Sequence, residues 1–373
     1  MQNGGVGVAD GVNIIAAGNT TILHSEFCIL HYLKFGGRII MKKYTVAILD
    51  ATGAVGQEMM KVLQERDFPV GKLIPLASAR SAGKKLLFKG EEVTIREACD
   101  EAFQGVDIVL GAAENDIAKK FAPAIVAAGA VFVDNSSAFR LVPKVPLIVP
   151  EVNPEDAKNH NGIISNPNCS TIITITAVNA LNKLGPIQAM TASTYQAVSG
   201  AGAGGPIELM NEVEALREGK TYEPKVFSHQ IAYNLIPQIG GEAFEGYTSE
   251  EMKMQNEGRK IMHLPELKVS CTCIRVPVVR SHSISVSIRF DRPVTVEQVR
   301  EVLADAPGVK LVDDLSKKMY PMPLDTSDQD LVFVGRIRPD LTDACGICLW
   351  CCGDQVRKGA ATNAVQIAEL LVK

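Results

Sequence analysis

Residues 44–56 have the sequence YTVAILDATGAVG, and residues 57–66 continue as QEMMKVLQER. The first six residues form a short apolar run rich in β-formers, which predicts a buried strand, and the last ten have a helical pattern. The turn between them holds Gly53 and Gly56 with the spacing of the later two glycines of a dinucleotide-binding turn, whereas Asp50 stands where the first glycine is expected. Such a turn brings backbone N–H groups to a pyrophosphate. A tight turn that binds no ligand is the alternative.

Strands and helices continue to alternate up to residue 168. Strands are expected at residues 73–77, 106–111 and 130–134, and a helix is expected at residues 116–128. This order predicts a parallel sheet with right-handed crossovers. The fold class is therefore expected to be α/β, beginning with a Rossmann-type domain.

The pattern changes after residue 168. An apolar, buried helix is expected at residues 171–184. Long strands follow and predict a large mixed sheet in a second α/β domain; they are expected at residues 187–197, 267–279, 281–290, 331–337 and 346–352. Residues 218–249 are irregular and suggest an inserted lobe. Residues 354–372 form an amphipathic pattern, predicted to be a helix that returns to the first domain.

Composition excludes several classes of protein. The chain has 373 residues, enough for two domains with full cores, and a net charge of −4 gives no reason to expect nucleic acid or an anionic membrane as a partner. No apolar run reaches the length of about 18 residues needed to cross a membrane. The nine cysteines are odd in number and no secretory signal is present, so we expect a reducing, cytoplasmic location.

The first forty residues carry no motif and no core pattern. Met41 begins the segment that leads directly into the first strand, so we expect Met41 to be the natural start and residues 1–40 to be a non-native or disordered extension. A genuine disordered arm is the alternative.

The end of the second strand indicates which cofactor is bound. An NAD site expects an acidic residue there, to bind the ribose diol. The chain instead has Ser78-Ala79-Arg80-Ser81, and an arginine beside hydroxyl groups suits a 2′-phosphate. This pattern favours NADP, with a solvated surface arginine as the alternative.

Cys169 is the candidate nucleophile. It lies in Asn166-Pro167-Asn168-Cys169-Ser170-Thr171, just before the apolar helix, where the positive end of the helix dipole is expected to lower the pKa of the thiol. A buried structural cysteine is the alternative. His282 lies in a polar gap between two predicted strands and is, of the six histidines, the best candidate for a base on context.

Several motifs in this order resemble the bacterial aspartate-β-semialdehyde dehydrogenase family, over residues 41–373. The motifs are TGAVG at residues 52–56, SARSAG at 78–83, NSSAFR at 135–140, SNPNCST at 165–171, TYQAVSGAG at 194–202, EEMKM at 250–254, RVPV at 275–278 with His282, and RKGAATN at 357–363. The resemblance implies a cytoplasmic, NADP-dependent homodimer or homotetramer that reduces an acyl phosphate through a cysteine thioester and releases inorganic phosphate. It also implies an NADP-binding domain at residues 41–168, a catalytic and dimerisation domain at 169–352, and a C-terminal helix at 353–373.

The resemblance also assigns roles to single residues. The catalytic residues would be Cys169 as nucleophile, His282 as acid/base and Gln196, which orients the substrate. The substrate-binding residues would be Arg140 and Lys253 at the phosphate, Arg275 at the α-carboxylate, Glu250 at the α-ammonium group, and Asn168. The cofactor-binding residues would be Thr52, Gly53, Ala54, Val55, Arg80, Ser81, Ser199, Gly200 and Gln355. Asp50 and a cysteine-rich C-terminal strand depart from the family pattern.

The cysteine-rich strand has a spacing that could suggest a metal site. The cysteines concerned are Cys345, Cys348, Cys351 and Cys352, with Cys271 and Cys273 on another strand. A strand places Cys348 and Cys352 on one face and Cys345 and Cys351 on the other. We therefore expect packing and no metal, with zinc or iron–sulfur ligation as the alternative.

Two rival functions remain at this stage. An N-acetylglutamyl-phosphate reductase would share the fold and the thioester chemistry, but its acylated substrate nitrogen would leave Glu250 without a cationic partner. A non-catalytic NADP-binding protein would have no need of Cys169, His282, Arg275 and Arg140 together.

Overall fold

The computed structural model of the protein describes residues 33–35, 38–40 and 42–372. The strands, in chain order, are β1 (Leu33–Phe35), β2 (Arg38–Ile40), β3 (Tyr44–Leu49), β4 (Val70–Ala77), β5 (Lys85–Phe88), β6 (Glu91–Thr94), β7 (Arg96–Glu97), β8 (Ile108–Gly111), β9 (Val131–Asp134), β10 (Ile163–Ser165), β11 (Ile187–Ala197), β12 (Glu242–Phe244), β13 (Tyr247–Thr248), β14 (Lys268–Val276), β15 (His282–Phe290), β16 (Val309–Leu311), β17 (Val332–Pro339) and β18 (Gly346–Gly353). The α-helices are α1 (Ala54–Glu65), α2 (Asn115–Ala127), α3 (Cys169–Val178), α4 (Gly204–Arg217), α5 (Ser249–Ile261), α6 (Val296–Ala304), α7 (Pro323–Thr326) and α8 (Thr362–Val372).

Residues Lys43–Val372 form one compact unit. The prediction for residues 1–40 lies outside the described residues, except for the strands β1 and β2, which pair with each other in antiparallel fashion. No helix of the described ranges is both long and apolar enough to cross a bilayer.

The first large sheet is parallel throughout, with the order β10-β9-β8-β3-β4-β7. Strand β3 lies in its centre, and all of its residues from Val46 to Leu49 are buried, as expected for a strand covered on both faces. The chain moves from β3 to β4 on one side and later reaches β8 on the other side. This reversal is a topological switch point, where the carboxyl ends of neighbouring parallel strands leave a crevice for ligands.

The second sheet is mixed, with the order β14-β11-β15-β18-β17-β16. Strand β11 pairs in parallel with β14 and in antiparallel with β15. Helix α3 packs against this sheet, since Ile172 and Ile173 share one core with Ile284 and Val286 of β15. The expected fold class, a Rossmann-type domain and an α/β domain with a large mixed sheet, is confirmed.

Two helix predictions need correction. Helix α3 ends at Val178 and continues as a 3-10 turn over Asn179–Lys183. The C-terminal helix begins at Thr362, later than the expected start at residue 354, because the Asp354 carboxylate accepts the N–H groups of Val356 and Arg357 and a π-helical turn follows. From Thr362 onward, α8 packs into the same core as α1 of the first domain.

Candidate active site

A cleft of about 520 Å³ opens at the carboxyl ends of β3 and β8 and extends to the end of β11 and to α5. Most of the predicted site residues line it, namely Gly53, Ala54, Val55, Arg140, Asn168, Cys169, Gln196, Ser199, Gly200, Glu250, Lys253, Arg275 and Gln355. The other predicted residues, Thr52, Arg80, Ser81 and His282, lie outside this lining. Residues from distant parts of the sequence, such as Gly53 and Gln355, therefore meet at the topological switch point of the parallel sheet, where ligands bind in folds of this class.

The glycine turn has the features of a pyrophosphate site. Gly53 is the N-cap of α1 and no side chain caps this helix, so first-turn N–H groups are free of side-chain acceptors. A Cβ atom at Gly56 would lie 2.2 Å from the Asp50 carbonyl oxygen, so only glycine fits there. Asp50 itself has φ +67°, the left-handed backbone that the expected glycine would adopt, and its carboxylate lies beside Gly53, where a Cβ atom would be 2.6 Å from Asp50 Oδ2. The Thr52 hydroxyl donates to Asp50 Oδ1 at 3.3 Å.

The turn after β4 carries the residues expected at the 2′-phosphate. Arg80 is exposed and Ser81 is half-buried, and the Ser81 N–H donates to the Ser78 carbonyl oxygen at 2.9 Å. The described part of this turn contains no acidic side chain. On the opposite side of the cleft the Gln355 amide donates to the Ser199 hydroxyl and accepts the Ser281 N–H at 2.8 Å.

Cys169 is the first residue of α3, and its N-cap is Asn168. The Asn168 Oδ1 atom accepts the N–H groups of Ser170 at 3.0 Å and Thr171 at 3.2 Å. Gly359, which the sequence analysis did not assign to the site, packs on the cysteine, since a Cβ atom there would lie 2.9 Å from Cys169 Cβ. Its signal was its place in the RKGAATN motif.

The expected lowering of the thiol pKa is wrong for the free protein. Burial raises the pKa of Cys169 to about 11, and the Glu250 carboxylate adds to this rise. The positive charges of Arg275, Lys253 and Arg140 act in the opposite direction but do not prevail.

His282 is the first residue of β15 and is fully buried. Burial and the nearby Arg275 charge lower the pKa of His282 to about 3, so the imidazole is neutral at physiological pH. The Ala197 N–H donates to Nδ1 at 3.0 Å, which assigns the ring proton to Nε2. The Gln196 amide nitrogen lies 3.5 Å from His282 Nε2. Because both nitrogen atoms are then donors, they form no hydrogen bond with each other, and the Nε2–H remains available for an oxygen acceptor.

Gly200 and Arg275 frame the imidazole. A Cβ atom at Gly200 would lie 2.7 Å from Arg275 Nη1 and 3.2 Å from His282 Nε2, so a larger residue would fill this space. The Arg275 guanidinium is buried and donates to the Ala197 carbonyl oxygen at 2.7 Å. The arginine, the histidine and the end of β11 therefore form one rigid wall.

Glu250 lies opposite this wall, on α5. Its Oε1 accepts from the Asn168 amide at 2.8 Å and from the Gln196 amide at 3.2 Å, and its Oε2 pairs with Lys253 Nζ at 2.7 Å. Burial alone would raise the pKa of Glu250, but the Lys253 ammonium and these hydrogen bonds lower it, so the carboxylate is ionised. This part of the cleft thus offers the Glu250 carboxylate and several cations to a substrate.

Arg140 is held by three contacts that the sequence did not reveal. Its Nε donates to the Asn166 carbonyl oxygen at 2.9 Å, its Nη2 donates to the Asn135 carbonyl oxygen at 2.8 Å, and its Nη1 pairs with Glu257 Oε1 at 3.1 Å. Glu257 was missed, although it shares a helical face with Glu250 at the spacing i, i+7.

The cysteines of the mixed sheet are part of its packing. Cys351 and Cys352 are fully buried, and the Cys352 sulfur lies 3.0 Å from the Thr326 hydroxyl oxygen. Cys271 and Cys273 are also buried, with their sulfur atoms 3.8 Å apart. Within the described ranges, no cluster of three or more histidine, cysteine or acidic side chains has an arrangement that could hold a metal ion.

Comparison with known proteins agrees with this site. Residues 45–160 match the family model "Semialdehyde dehydrogenase, NAD binding domain", and residues 178–358 match "Semialdehyde dehydrogenase, dimerisation domain". The chain is 50% identical over 328 residues to an aspartate-semialdehyde dehydrogenase of Synechocystis sp., covering 88% of this chain and 97% of the relative. It is 48% identical over 336 residues to the Bacillus subtilis enzyme of the same name, covering 88% and 97%.

Solved structures give the same picture. Aspartate semialdehyde dehydrogenase II of Vibrio cholerae, complexed with ASA, is 44% identical, has a TM-score of 0.87, and is matched over 89% of this chain and 98% of that chain. The Candida albicans enzyme with NADP is 27% identical, has a TM-score of 0.69, and is matched over 88% and 98%. From the domain models, the identity and the shared fold, the chain belongs to the aspartate-semialdehyde dehydrogenase family of pyridine-nucleotide-dependent oxidoreductases.

Proposed function

We propose that the protein catalyses the NADPH-dependent reductive dephosphorylation of L-aspartyl-4-phosphate to L-aspartate 4-semialdehyde, through a thioester on Cys169. The observation that carries this proposal is the single cleft in which the Cys169 thiol, the cations Arg140 and Lys253, and the Glu250 carboxylate meet the glycine turn. A nucleophile next to separate sites for an anion and a cation fits a charged acyl donor.

The first half-reaction is acyl transfer. The Cys169 sulfur bonds to the acyl carbon, the bond between carbon and phosphate oxygen breaks, and the thiol proton leaves with the phosphate as hydrogenphosphate. Covalent catalysis divides the reaction into two easier steps. Because the free thiol is protonated at neutral pH, substrate binding and proton removal must accompany the attack.

His282 is proposed to serve both half-reactions. Its Nε2–H is suited to donate to the carbonyl oxygen, which gains negative charge during attack and during reduction. Proton transfer to His282 requires Nε2 to lose its proton, a tautomer that the Ala197 N–H bond to Nδ1 opposes. Oxyanion stabilisation and proton transfer are therefore separable contributions of this residue.

The remaining charges select the substrate. Arg275 offers the α-carboxylate a planar pair of donors, and Glu250 offers an acceptor to the α-ammonium group. Arg140 and Lys253 bind the phosphate group of the substrate. N-acetylglutamyl phosphate, the rival substrate, has an uncharged amide nitrogen, so Glu250 would gain no ammonium group from it and would keep Lys253 as its cationic partner.

The cofactor is proposed to be NADP, which in its reduced form, NADPH, would supply the hydride for reduction of the thioester. The free N–H groups at the start of α1 fit its pyrophosphate, and Arg80 with Ser81 fits its 2′-phosphate. The Candida albicans relative solved with NADP is consistent with this choice.

We also propose that the protein is a homo-oligomer with two domains and a C-terminal helix. One face of the mixed sheet carries small hydroxyl groups, such as Ser193 and Ser285, beside the aromatic pair Tyr195 and Trp350, all only half-buried. A face of this kind suits a second copy of the chain in a homodimer, and the matched dimerisation domain supports it. We propose an NADP-binding domain at residues 41–168, a catalytic and dimerisation domain at residues 169–352 and a C-terminal helix at residues 353–373. We also propose a cytoplasmic location.

The test is the reverse reaction, with aspartate semialdehyde, NADP and inorganic phosphate, followed by absorbance of the reduced cofactor. We expect turnover that depends on all three components and is weaker with NAD. Turnover with N-acetylglutamate semialdehyde and none with aspartate semialdehyde would replace the proposed substrate by its rival.

A further inference from the structure

Helix α5 carries a third charged residue toward the active site, beyond Glu250 and Lys253. Glu257 lies four residues after Lys253 and seven after Glu250, so the three side chains share one face of the helix. Only 1% of Glu257 is exposed, and it does not line the cleft. A fully buried carboxylate needs partners that compensate for its lost hydration.

Both oxygens of Glu257 have such partners, and both partners belong to the site. Oε1 pairs with Arg140 Nη1 at 3.1 Å, and Oε2 accepts the Asn168 N–H at 2.7 Å. Asn168 caps α3 and immediately precedes Cys169. A single carboxylate on α5 therefore joins the loop that carries the arginine to the helix that carries the nucleophile.

The contacts of Arg140 explain what this bridge achieves. A guanidinium has five N–H donors. Nε, Nη1 and Nη2 each donate once to the protein, to Asn166, Glu257 and Asn135, so one N–H on each terminal nitrogen remains. Two donors on neighbouring nitrogen atoms match two oxygens of a phosphate group.

We propose that Glu257 is a positioning residue for the phosphate. It fixes the guanidinium of Arg140 so that its two remaining donors face the cleft, at a set distance from Cys169. Lys260 supports the same loop, since its ammonium donates to the carbonyl oxygens of Arg140 at 2.8 Å and Val145 at 2.7 Å. The inference rests on the proposed role of Arg140 at the phosphate.

Glu257→Gln tests this geometry directly. A glutamine has one acceptor oxygen where the carboxylate has two, and its NH₂ group would face either Arg140 or the Asn168 N–H, a donor against a donor. We expect KM for inorganic phosphate in the reverse reaction to rise roughly tenfold, the factor of a lost charged hydrogen bond. KM for NADP should stay unchanged, because the cofactor turn is elsewhere.

Asp313→Asn is the matched control. Asp313 also bridges an arginine and the backbone, accepting from Arg300 at 2.8 Å and from the Arg336 N–H at 2.7 Å, but it lies outside the cleft. This variant should lose less thermal stability, because the Arg300 side chain is 45% exposed, and it should keep the parental KM for phosphate. The shift of melting temperature caused by inorganic phosphate should shrink in Glu257→Gln and not in Asp313→Asn.

The outcomes separate the two ideas. A parental KM for phosphate in Glu257→Gln overturns the positioning role. A parent protein whose rate does not saturate with phosphate overturns the proposed function instead. If Glu257→Gln does not fold, Glu257→Asp takes its place. Aspartate keeps two acceptor oxygens but is one methylene shorter, so KM for phosphate should rise about threefold. An unchanged KM for phosphate in this variant counts against the inference.

Discussion

The two ends of the cleft differ in how firmly their charged groups are held. At the substrate end, Arg140 and Arg275 are buried and bonded to backbone carbonyl oxygens. At the cofactor end, Asp50 places a carboxylate beside the glycine turn, and Arg80 lies exposed in the turn after the neighbouring strand β4, outside the cleft lining. Buried, fixed donors act on developing charge without reorganising, whereas an exposed side chain must be ordered when the ligand binds. We therefore expect substitutions at the substrate end to change mainly the turnover rate. Substitutions at the cofactor end should change mainly the affinity for the cofactor.

The largest effect should come from Cys169→Ala. Without the sulfur no thioester forms, so dehydrogenase activity should fall to background, while NADP affinity stays nearly unchanged because residues other than Cys169 are proposed to hold the cofactor. Steady-state rates and calorimetric titration with NADP check the two halves. A variant that turned over substrate at the parental rate would disprove the thioester mechanism.

The next largest effect concerns His282. His282→Asn removes the ring that faces the oxyanion and should slow turnover by about 10²–10⁴-fold with little change in substrate KM. His282→Gln is the informative partner, because its longer amide can place an N–H near the Nε2 position but cannot carry a proton. If His282→Gln turns over substrate much faster than His282→Asn, most of the contribution of His282 to the rate comes from hydrogen bonding. Equal turnover rates of the two variants would favour proton transfer.

A third prediction concerns the thiol before substrate binds. Burial raises the pKa of Cys169 to about 11, so its thiolate fraction, and with it the rate of alkylation, should rise about tenfold per pH unit. Between pH 7 and 9 the rate with iodoacetamide should increase roughly hundredfold, with the exposed Cys99 as internal reference in the peptide map. A rate that already levels off near pH 7 would show that the helix N-terminus prevails after all.

The sequence predicted the strands and the cleft better than it predicted the electrostatics. The β3 run and the glycine turn are local patterns, and local patterns determine the Rossmann-type layer. The thiol pKa depends on the burial of Cys169 and on the nearness of Glu250, which only the packed structure shows. Glu257 was missed for the same reason: its two partners are 117 and 89 positions away.

At the cofactor end, Arg80→Ala should weaken NADP binding about tenfold and leave NAD binding unchanged. A charged hydrogen bond contributes roughly 1.5–3 kcal/mol, and exposure of the side chain places the expected value at the lower end. Calorimetric titration with both cofactors measures the difference. Equal affinity of the parent protein for NADP and NAD would remove the basis for the assignment of Arg80.

The smallest effect should come from Asp50→Gly. This variant tests whether the charge or the backbone conformation of residue 50 determines the affinity for NADP. Asp50 has φ +67°, where glycine is free of strain, and its carboxylate lies beside Gly53 in the turn that should receive a pyrophosphate. Removing like-charge repulsion of about 1 kcal/mol should tighten NADP binding roughly fivefold at low salt, and less at high salt. Asp50→Asn separates the two causes, because asparagine tolerates this backbone but carries no charge. If Asp50→Asn also binds NADP more tightly, the loss of the carboxylate charge causes the gain in affinity. If only Asp50→Gly binds NADP more tightly, the relief of backbone strain causes it. Identical affinity in all three proteins would mean that Asp50 points away from the bound cofactor and that the departure from the glycine pattern has no consequence for binding.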